Sequence, residues 1–328
     1  MNRIKNHPIL DVKEKKEIVF YFEGNPLKAY EDEVISSALF ANGIKIFSYH
    51  KKDTAPQGIF CANGQCAQCS VVADGRVVKA CVSKVKEGMK IDTLKGAAKI
   101  NLKEETSFNY SSIEEIDTDV LIIGGGPSGM SAAAEISKFN LDVILVDDKD
   151  KLGGKLVLQT HKFFGSVDDC YAGTRGIDIA EKLYEELIKY PSLKIWTDSV
   201  CFGVFSDKKI GVIKNGVCYL VKPKVAVFAT GAREKTLLFE GNTLPGVYGA
   251  GAFQTLVNRD LVKPSDKLFV VGGGNVGLIA AYHALQAGIK VVGLCEISAR
   301  CGGYKVHEDK IKRLGVPIFT KHTVLKVE

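Results

Sequence analysis

Val120-Leu121-Ile122-Ile123-Gly124-Gly125-Gly126-Pro127-Ser128-Gly129 is an apolar run that breaks into glycines. Four consecutive aliphatic residues ahead of a glycine turn, followed by small residues at helical spacing, read as a buried strand entering a helix. Gly124 permits the tight turn out of the strand, Gly126 lets backbone approach a pyrophosphate, and Gly129 lets the helix pack close to the sheet. The pattern recurs 148 residues later as Leu268-Phe269-Val270-Val271-Gly272-Gly273-Gly274-Asn275-Val276-Gly277, and the same offset pairs Ala132 and Ala133 with Ala280 and Ala281. The fold class is therefore α/β, with two Rossmann-like dinucleotide-binding units. Phosphates are expected at the two helix N-termini, where free N–H groups favour anions. The residues expected to form these cradles are Gly124, Gly126, Ser128 and Gly129, then Gly272, Gly274, Asn275, Val276 and Gly277.

An acid closing the second strand of each unit should hold a ribose hydroxyl pair. In the first unit this is Asp147, 23 residues beyond Gly124, or its neighbour Asp148. The 148-residue offset aligns Asp148 with Glu296, so both remain candidates. Glu296 would accept from a ribose 2′-OH and repel a 2′-phosphate, favouring NAD, while the nearby Arg300 leaves NADP open. Between the units lies Val225-Ala226-Val227-Phe228-Ala229-Thr230-Gly231-Ala232-Arg233, which reads as a buried strand ending in an A-T-G turn. In flavoproteins with two dinucleotide sites such a turn returns to the flavin. The first unit is thus expected to bind FAD, with Thr230, Gly231 and Ala232 near it, and the second a nicotinamide dinucleotide.

Ahead of both units, Cys61, Cys66, Cys69 and Cys81 form a C-x4-C-x2-C-x11-C run. Three thiols within nine residues are poorly placed for ordinary disulfides. Thiolates select iron–sulfur clusters or zinc, and this spacing is the plant-type [2Fe–2S] pattern. Zinc sites more often come as two separate pairs. Small residues between the ligands, Ala62, Gly64 and Ala67, leave room for backbone N–H groups beside bridging sulfides. Around the loop, Ile18 to Phe22 and Leu27 to Tyr30 read as strands about a Gly24-Asn25-Pro26 turn, and Val34 to Ala41 as a helix. Ser70 to Ala73 and Arg76 to Lys79, joined by Asp74-Gly75, read as a hairpin. These elements fit a β-grasp ferredoxin-like domain.

The expected division is a [2Fe–2S] domain over 1–102, a polar linker over 103–117, an FAD domain over 118–262 and a nicotinamide domain over 263–328. A net charge of +6 without a basic, aromatic-rich block argues against nucleic-acid binding. No apolar stretch reaches membrane-spanning length, and the polar opening residues contain no signal-peptide core. The other five cysteines, Cys170, Cys201, Cys218, Cys295 and Cys301, are dispersed. That usage suits a reducing compartment, so a cytoplasmic location is expected.

Residues 17–95, above all Gly58-Ile59-Phe60-Cys61 to Cys81 and Gly88-Met89-Lys90-Ile91-Asp92-Thr93, resemble the ferredoxin-like module of one enzyme group. The group comprises sarcosine oxidase α subunits, hydrogen cyanide synthase subunits, opine oxidases and dye-linked proline dehydrogenases. Residues 118–328 resemble the FAD/NAD two-domain reductases of thioredoxin-reductase type. Gly153-Gly154-Lys155-Leu156 is similar to their flavin-flanking G-G-x-L loop, which implies flavin contacts for Gly154, Lys155 and Leu156. Leu244-Pro245-Gly246-Val247 and Gly249-Ala250-Gly251-Ala252 match the family's crossover into the nicotinamide domain. Two departures stand out. The second unit has Cys295 and Cys301 in place of a redox C-x-x-C, so disulfide reduction is not expected. The chain also ends at Glu328, in an expected strand Thr323 to Val327, where family members continue; the nicotinamide domain reads as incomplete and the chain as a fragment.

The resemblance implies an electron-transferring FAD/[2Fe–2S] subunit with a second flavoprotein dehydrogenase as partner, in a hetero-oligomer that oxidises an amino acid or amine. The competing readings are a self-contained NADH:acceptor reductase and a non-catalytic assembly subunit. No catalytic acid–base constellation stands out. Lys155, Thr160, His161 and Lys162 could line the flavin, and Tyr304 and His307 the nicotinamide, but the favoured readings are a polar surface loop and a solvated helix face.

Overall fold

The computed structural model describes residues 2–97, 113–163 and 165–328. It divides into two compact units, Met1–Asn101 with Glu234–Glu328, and Leu102–Arg233.

The first unit opens with strands β1 (Glu17–Phe22) and β2 (Asn25–Tyr30), paired antiparallel with Phe20 opposite Leu27. Their turn is Glu23-Gly24, with φ of 49° and 77°, one residue ahead of the expected turn. A two-residue hairpin of this type needs positive φ at both positions. Pro26 then falls inside β2, tolerated because β2 is the sheet's edge. Helix α1 (Ile35–Ala41) is buried along its whole length and ends at Asn42 and Gly43. The short strands β3 (Ser48–Tyr49) and β4 (Pro56–Gln57) follow. After the cysteine loop, β5 (Ser70–Ala73) and β6 (Arg76–Lys79) form the expected hairpin on Asp74-Gly75, and β7 (Lys90–Lys95) joins β1, β3 and β5. Phe20, Phe40 and Phe47 fill the core.

The second unit contains β8 (Glu114–Ile123), α2 (Pro127–Ser137), β9 (Val143–Val146), α3 (Val167–Cys170), α4 (Gly176–Leu187), β10 (Leu193–Trp196), β11 (Ser199–Val204), β12 (Ile210–Lys214) and β13 (Val217–Phe228). Its sheet runs β10-β9-β8-β13-β12-β11, the first four strands parallel and the last three an antiparallel meander. Val120 and Ile122 face Met130, Ala133 and Leu187, while Leu121 and Ile144 face Trp196 and Val212. Most of the expected linker lies outside the described residues. Its last four residues, Glu114 to Asp117, are already in β8, because β13 is long enough to pair with them from Tyr219 onward. β13 is central in hydrogen bonding, yet Val225 and Phe228 are 56% and 61% exposed. The expected buried strand is therefore corrected: the helical cover concentrates over β8 and β9, and of β13 only Val227 packs against it.

The chain re-enters the first unit at Glu234 and reaches α5 (Ala250–Gln254), which continues as a π-helical turn over Thr255–Arg259. Ala252 and Leu256 complete the core of the ferredoxin-like part, while Phe253 and Val257 belong to the core that follows. One helical segment thus walls two cores, so residues 250–262 are shared rather than flavin-side. Beyond it, β14 (Lys267–Val271), α6 (Asn275–Gln286), β15 (Lys290–Glu296), α7 (Lys305–Arg313) and β16 (Ile318–Thr320) build a parallel sheet β14-β15-β16. The expected strand at Thr323 to Val327 does not join it. Its backbone pairs instead with Glu240, which donates to Leu325 O at 3.2 Å and accepts from Val327 N at 2.9 Å.

Candidate redox sites

The cysteine loop brings all four thiols together. Cys69 and Cys81 are buried, Cys61 and Cys66 half-buried, and none is in a disulfide. Cys61 meets Cys66, Cys69 meets Cys81, and Cys61 also meets Cys81. Among the described residues no three ligands are set to hold a single ion. Thiols meeting in two linked pairs suit two irons with two thiolates each. Charge argues the same way. Cys66 hydrogen-bonded to Cys61 pulls the Cys61 thiol down, and Cys61 drives Cys66 up. Cys81 likewise pulls Cys69 down, while Cys61 and Cys69 together raise Cys81. Sulfurs this close cannot all ionise together unless a cationic centre lies between them. The backbone bends to suit: Ala62, Gly64 and Ala67 have φ of 50°, 80° and 60°. Gly64 N–H points at Cys81 Sγ at 3.2 Å, and Cys66 N–H at Cys61 Sγ at 3.4 Å. Sequence reasoning missed Lys79, whose Nζ donates to Gly64 O at 2.6 Å and fastens the loop.

In the first glycine turn Gly124 has φ of 108°, and a Cβ there would lie 2.3 Å from Ala229 O. A Cβ on Gly129 would fall 1.8 Å from Gly124 O. These two glycines are demanded by close packing. Gly126 is different: a Cβ there would meet nothing nearer than Gly154 Cα at 3.9 Å, leaving the room a pyrophosphate needs. Asp147 closes the turn by accepting Gly125 N–H at 2.7 Å and Lys149 N–H at 2.9 Å. Asp148 turns outward to Lys149. Burial raises the Asp147 carboxyl above the usual range. Gly153 N–H donates to Gly125 O at 2.8 Å, which brings the G-G-x-L loop over the turn; Leu156 is buried and Lys155 exposed. Ala229 backs directly on Gly124, whereas Thr230, Gly231 and Ala232 are exposed beyond it, in a stretch without regular structure where a turn was expected. Ser128 is exposed at the helix start. Thr160 and His161 are buried rather than parts of a solvated loop, and His161 stacks on Phe163 at 5.1 Å.

The second turn repeats this geometry. Gly272 has φ of 101°, a Cβ on Gly277 would lie 2.1 Å from Gly272 O, and a Cβ on Gly274 would meet nothing within 4 Å. Glu296 accepts Gly273 N–H at 2.7 Å and Ser298 N–H at 2.8 Å. Asp147 and Glu296 therefore make the same two contacts, to the second glycine and to the residue two further on. The acid lies 22 residues after Gly125 but 23 after Gly273, a one-residue difference that the glycine offset concealed. The hydrogen bonds from Ser298 and Gly273 hold Glu296 below the usual carboxylate range. Each acid retains lone pairs for ribose hydroxyls. Asn275 is half-buried and Val276 56% exposed at the start of α6. Cys295 and Cys301 are free and buried. His307 is buried and Tyr304 exposed.

A paired-thiol loop joined to two glycine-turn folds defines the class, an FAD-dependent oxidoreductase with an iron–sulfur domain. Residues 15–96 match the 2Fe-2S iron-sulfur cluster binding domain and residues 118–328 the pyridine nucleotide-disulphide oxidoreductase family. The chain belongs to the pyridine nucleotide-disulphide oxidoreductase family. It is similar to the alpha subunit of sarcosine oxidase from Corynebacterium sp. (strain U-96), 26% identical over 274 residues, covering 76% of this chain and 27% of that protein. It is 29% identical over 178 residues to an opine oxidase subunit of Agrobacterium tumefaciens (strain Ach5), covering 52% of this chain and 35% of that one. The crystal structure of L-proline dehydrogenase from P. horikoshii superimposes with a TM-score of 0.72 at 29% identity, covering 92% of this chain and 58% of that chain. The chain spans about a third of the length of the curated relatives it matches. No described helix is long and apolar enough to cross a membrane.

Proposed function

We propose that this chain is the electron-transferring subunit of a multi-subunit amino-acid or amine dehydrogenase or oxidase, with FAD at the first glycine turn, NAD(H) at the second and a [2Fe–2S] cluster on the four cysteines. The observation that carries the reading is the thiol quartet of Cys61, Cys66, Cys69 and Cys81 in one chain with two acid-closed glycine turns. When bound, the flavin exchanges electrons in pairs with nicotinamide and the cluster takes them singly, which couples two-electron to one-electron chemistry. The chain's own part is to bind and orient. Gly126 and Gly274 leave space for pyrophosphate at the starts of α2 and α6. Asp147 and Glu296 offer their remaining lone pairs to ribose. The Glu296 carboxylate supports NAD over NADP, because a 2′-phosphate would meet a like charge.

The relatives are named for the oxidation of sarcosine, opines and L-proline, which supports a secondary amine or amino acid as the ultimate donor and a second flavoprotein, in its own subunit, as partner. The test is direct. Purified protein should release FAD and iron on denaturation, its flavin bands should bleach with NADH, and it should co-purify with an amine-oxidising flavoprotein. Colourless protein overturns the redox reading. Full NADH bleaching without such a partner would favour a self-contained reductase instead.

A further inference from the structure

The two glycine turns differ at two positions, Pro127 against Asn275 and Ser128 against Val276, and the first of these concerns the loop that follows. The repeat places Pro127 of the first turn opposite Asn275 of the second. In the first turn the following loop closes backbone on backbone, since a Cβ on Gly154 would lie 2.9 Å from Gly126 Cα. In the second a side chain is added to the backbone closure: Asn275 Oδ1 accepts the Tyr304 N–H at 2.7 Å. Gly303, one residue earlier, donates its N–H to Gly273 O at 3.0 Å. A Cβ on Gly303 would fall 2.9 Å from Asn275 N and 3.0 Å from its Oδ1, so the contact is tight. The other end of this loop is held by Glu296, through Ser298 N–H at 2.8 Å. Between the two anchors Ile297, Ser298, Ala299 and Arg300 are exposed, and Cys301 is buried with its Sγ 2.7 Å from where a Gly273 Cβ would stand.

We propose that Asn275 is a positioning residue for nucleotide discrimination: it clasps the 297–304 loop, and so keeps Arg300 from replacing Glu296 as the group that reads the adenosine ribose. The inference rests on the second turn being the nicotinamide dinucleotide site. The chemistry behind it is simple. A carboxylate accepts from a 2′-OH and repels a 2′-phosphate, whereas a guanidinium attracts the phosphate. The two groups lie four residues apart on one loop, so loop position decides which dominates. Loosening the Tyr304 end, which Gly303 N–H still tethers to Gly273 O, widens the range open to Arg300 while Glu296 keeps its own two backbone contacts.

Hydrogen exchange and binding test the two halves separately, on the FAD-loaded protein. Without nucleotide, Asn275→Ala should speed exchange of the amide at Tyr304 by about fivefold, the worth of one modest hydrogen bond. Asn275→Asp, which keeps an acceptor oxygen, should restore protection. Unchanged protection in Asn275→Ala overturns the clasp. Calorimetric titration of wild type and Asn275→Ala with the oxidised nucleotides NAD+ and NADP+, which leave the flavin oxidised, should then show the NAD+ preference shrinking by about the same factor. A loosened loop with the preference intact overturns the positioning role. Wild-type protein that binds neither nucleotide overturns the site assignment itself, and this proposal with it.

Discussion

Arg3 and Glu33 form a two-pronged ion pair, with guanidinium-to-carboxylate distances of 2.8 and 2.9 Å and both side chains under a tenth exposed. The Arg3 guanidinium also lies 4.0 Å over the Tyr30 ring, and Glu33 accepts Tyr30 N–H at 2.9 Å. Around this pair the N-terminal arm strings together the two cores that share α5. Asn2 N–H donates to Ala41 O at the end of α1, Ile4 N–H donates to Leu261 O, and Lys263 N–H returns to Asn2 O. The Ile4 side chain enters the core beneath the second glycine turn. The arm precedes the segment that matches the cluster-binding domain, so the cluster module is fastened by residues outside it.

Arg3→Ala should therefore destabilise this unit strongly. Removing one partner leaves the Glu33 carboxylate buried without its counter-charge, at a cost of about 3–5 kcal/mol. Lys16→Ala removes an ion pair to Glu31 whose side chains are 71% and 55% exposed, and should cost under about 1 kcal/mol. Urea unfolding midpoints of the two variants compare them directly. Equal midpoints would show that the arm is not fastening the unit.

The glycines offer a cleaner separation of the two cofactor sites. Gly129→Ala drives a Cβ to 1.8 Å from Gly124 O, and Gly277→Ala drives one to 2.1 Å from Gly272 O. Backbone contacts that short cannot be relieved by turning a side chain, so each turn must open. The first variant should lose bound FAD, read as the ratio of flavin to protein absorbance. The second should keep FAD and bind NADH at least about tenfold more weakly, roughly the loss of one well-made hydrogen bond. Flavin loss from Gly277→Ala alone would exchange the two site assignments.

Much of this geometry was legible because it is local. Two-residue turns at Asp74-Gly75 and the paired strand–glycine–helix openings follow from residues adjacent in the chain. The acid register was not legible, since a single residue fewer between Gly125 and Asp147 than between Gly273 and Glu296 moves the carboxylate by one position. Nor was the left-handed backbone of Ala62 and Ala67, where the only signal is that bulkier residues are missing. The shared helix is the least local feature. Phe253 and Val257 follow Ala252 and Leu256 by one residue, so a single apolar stripe could not announce two cores. The strand expected at Thr323 to Val327 failed for a similar reason: its partner, Glu240, is remote in sequence.

Metal analysis discriminates iron from zinc at the cysteine loop. Anaerobically purified protein should carry about two irons and acid-labile sulfide per chain. Cys66→Ser should lose most of both, together with the visible absorbance that extends past the flavin bands, because the Cys61–Cys66 pair then lacks one thiolate. About one zinc per chain, insensitive to reductant and without visible absorbance, would replace the cluster assignment with a structural metal. Lys79→Ala should leave iron content near normal but lower the cluster's reduction potential. It removes a cation that fastens Gly64 O at 2.6 Å, and a reduced, more negative cluster gains most from a nearby positive charge.

The two homologous acids should respond to pH in opposite directions. Glu296 is held below the usual carboxylate range by N–H groups of Ser298 and Gly273. A depressed folded-state pKa stabilises the fold above the unfolded value, and the contribution is lost as pH falls through the folded value. Asp147 is raised by burial, which outweighs its hydrogen bonds from Gly125 and Lys149. Its ionisation therefore opposes folding, with a cost that is absent below the unfolded value and grows as pH rises toward the folded one. Glu296→Gln should lower stability at neutral pH, and the gap from wild type should close on acidification below the ordinary glutamate range. Asp147→Asn should show the reverse trend, with its stability relative to wild type improving as pH rises out of the acid range. Urea unfolding of FAD-free protein at a series of pH values measures both without interference from bound cofactor. Parallel curves for the two variants would mean that the acids sit in equivalent electrostatic surroundings, contrary to the burial that separates them.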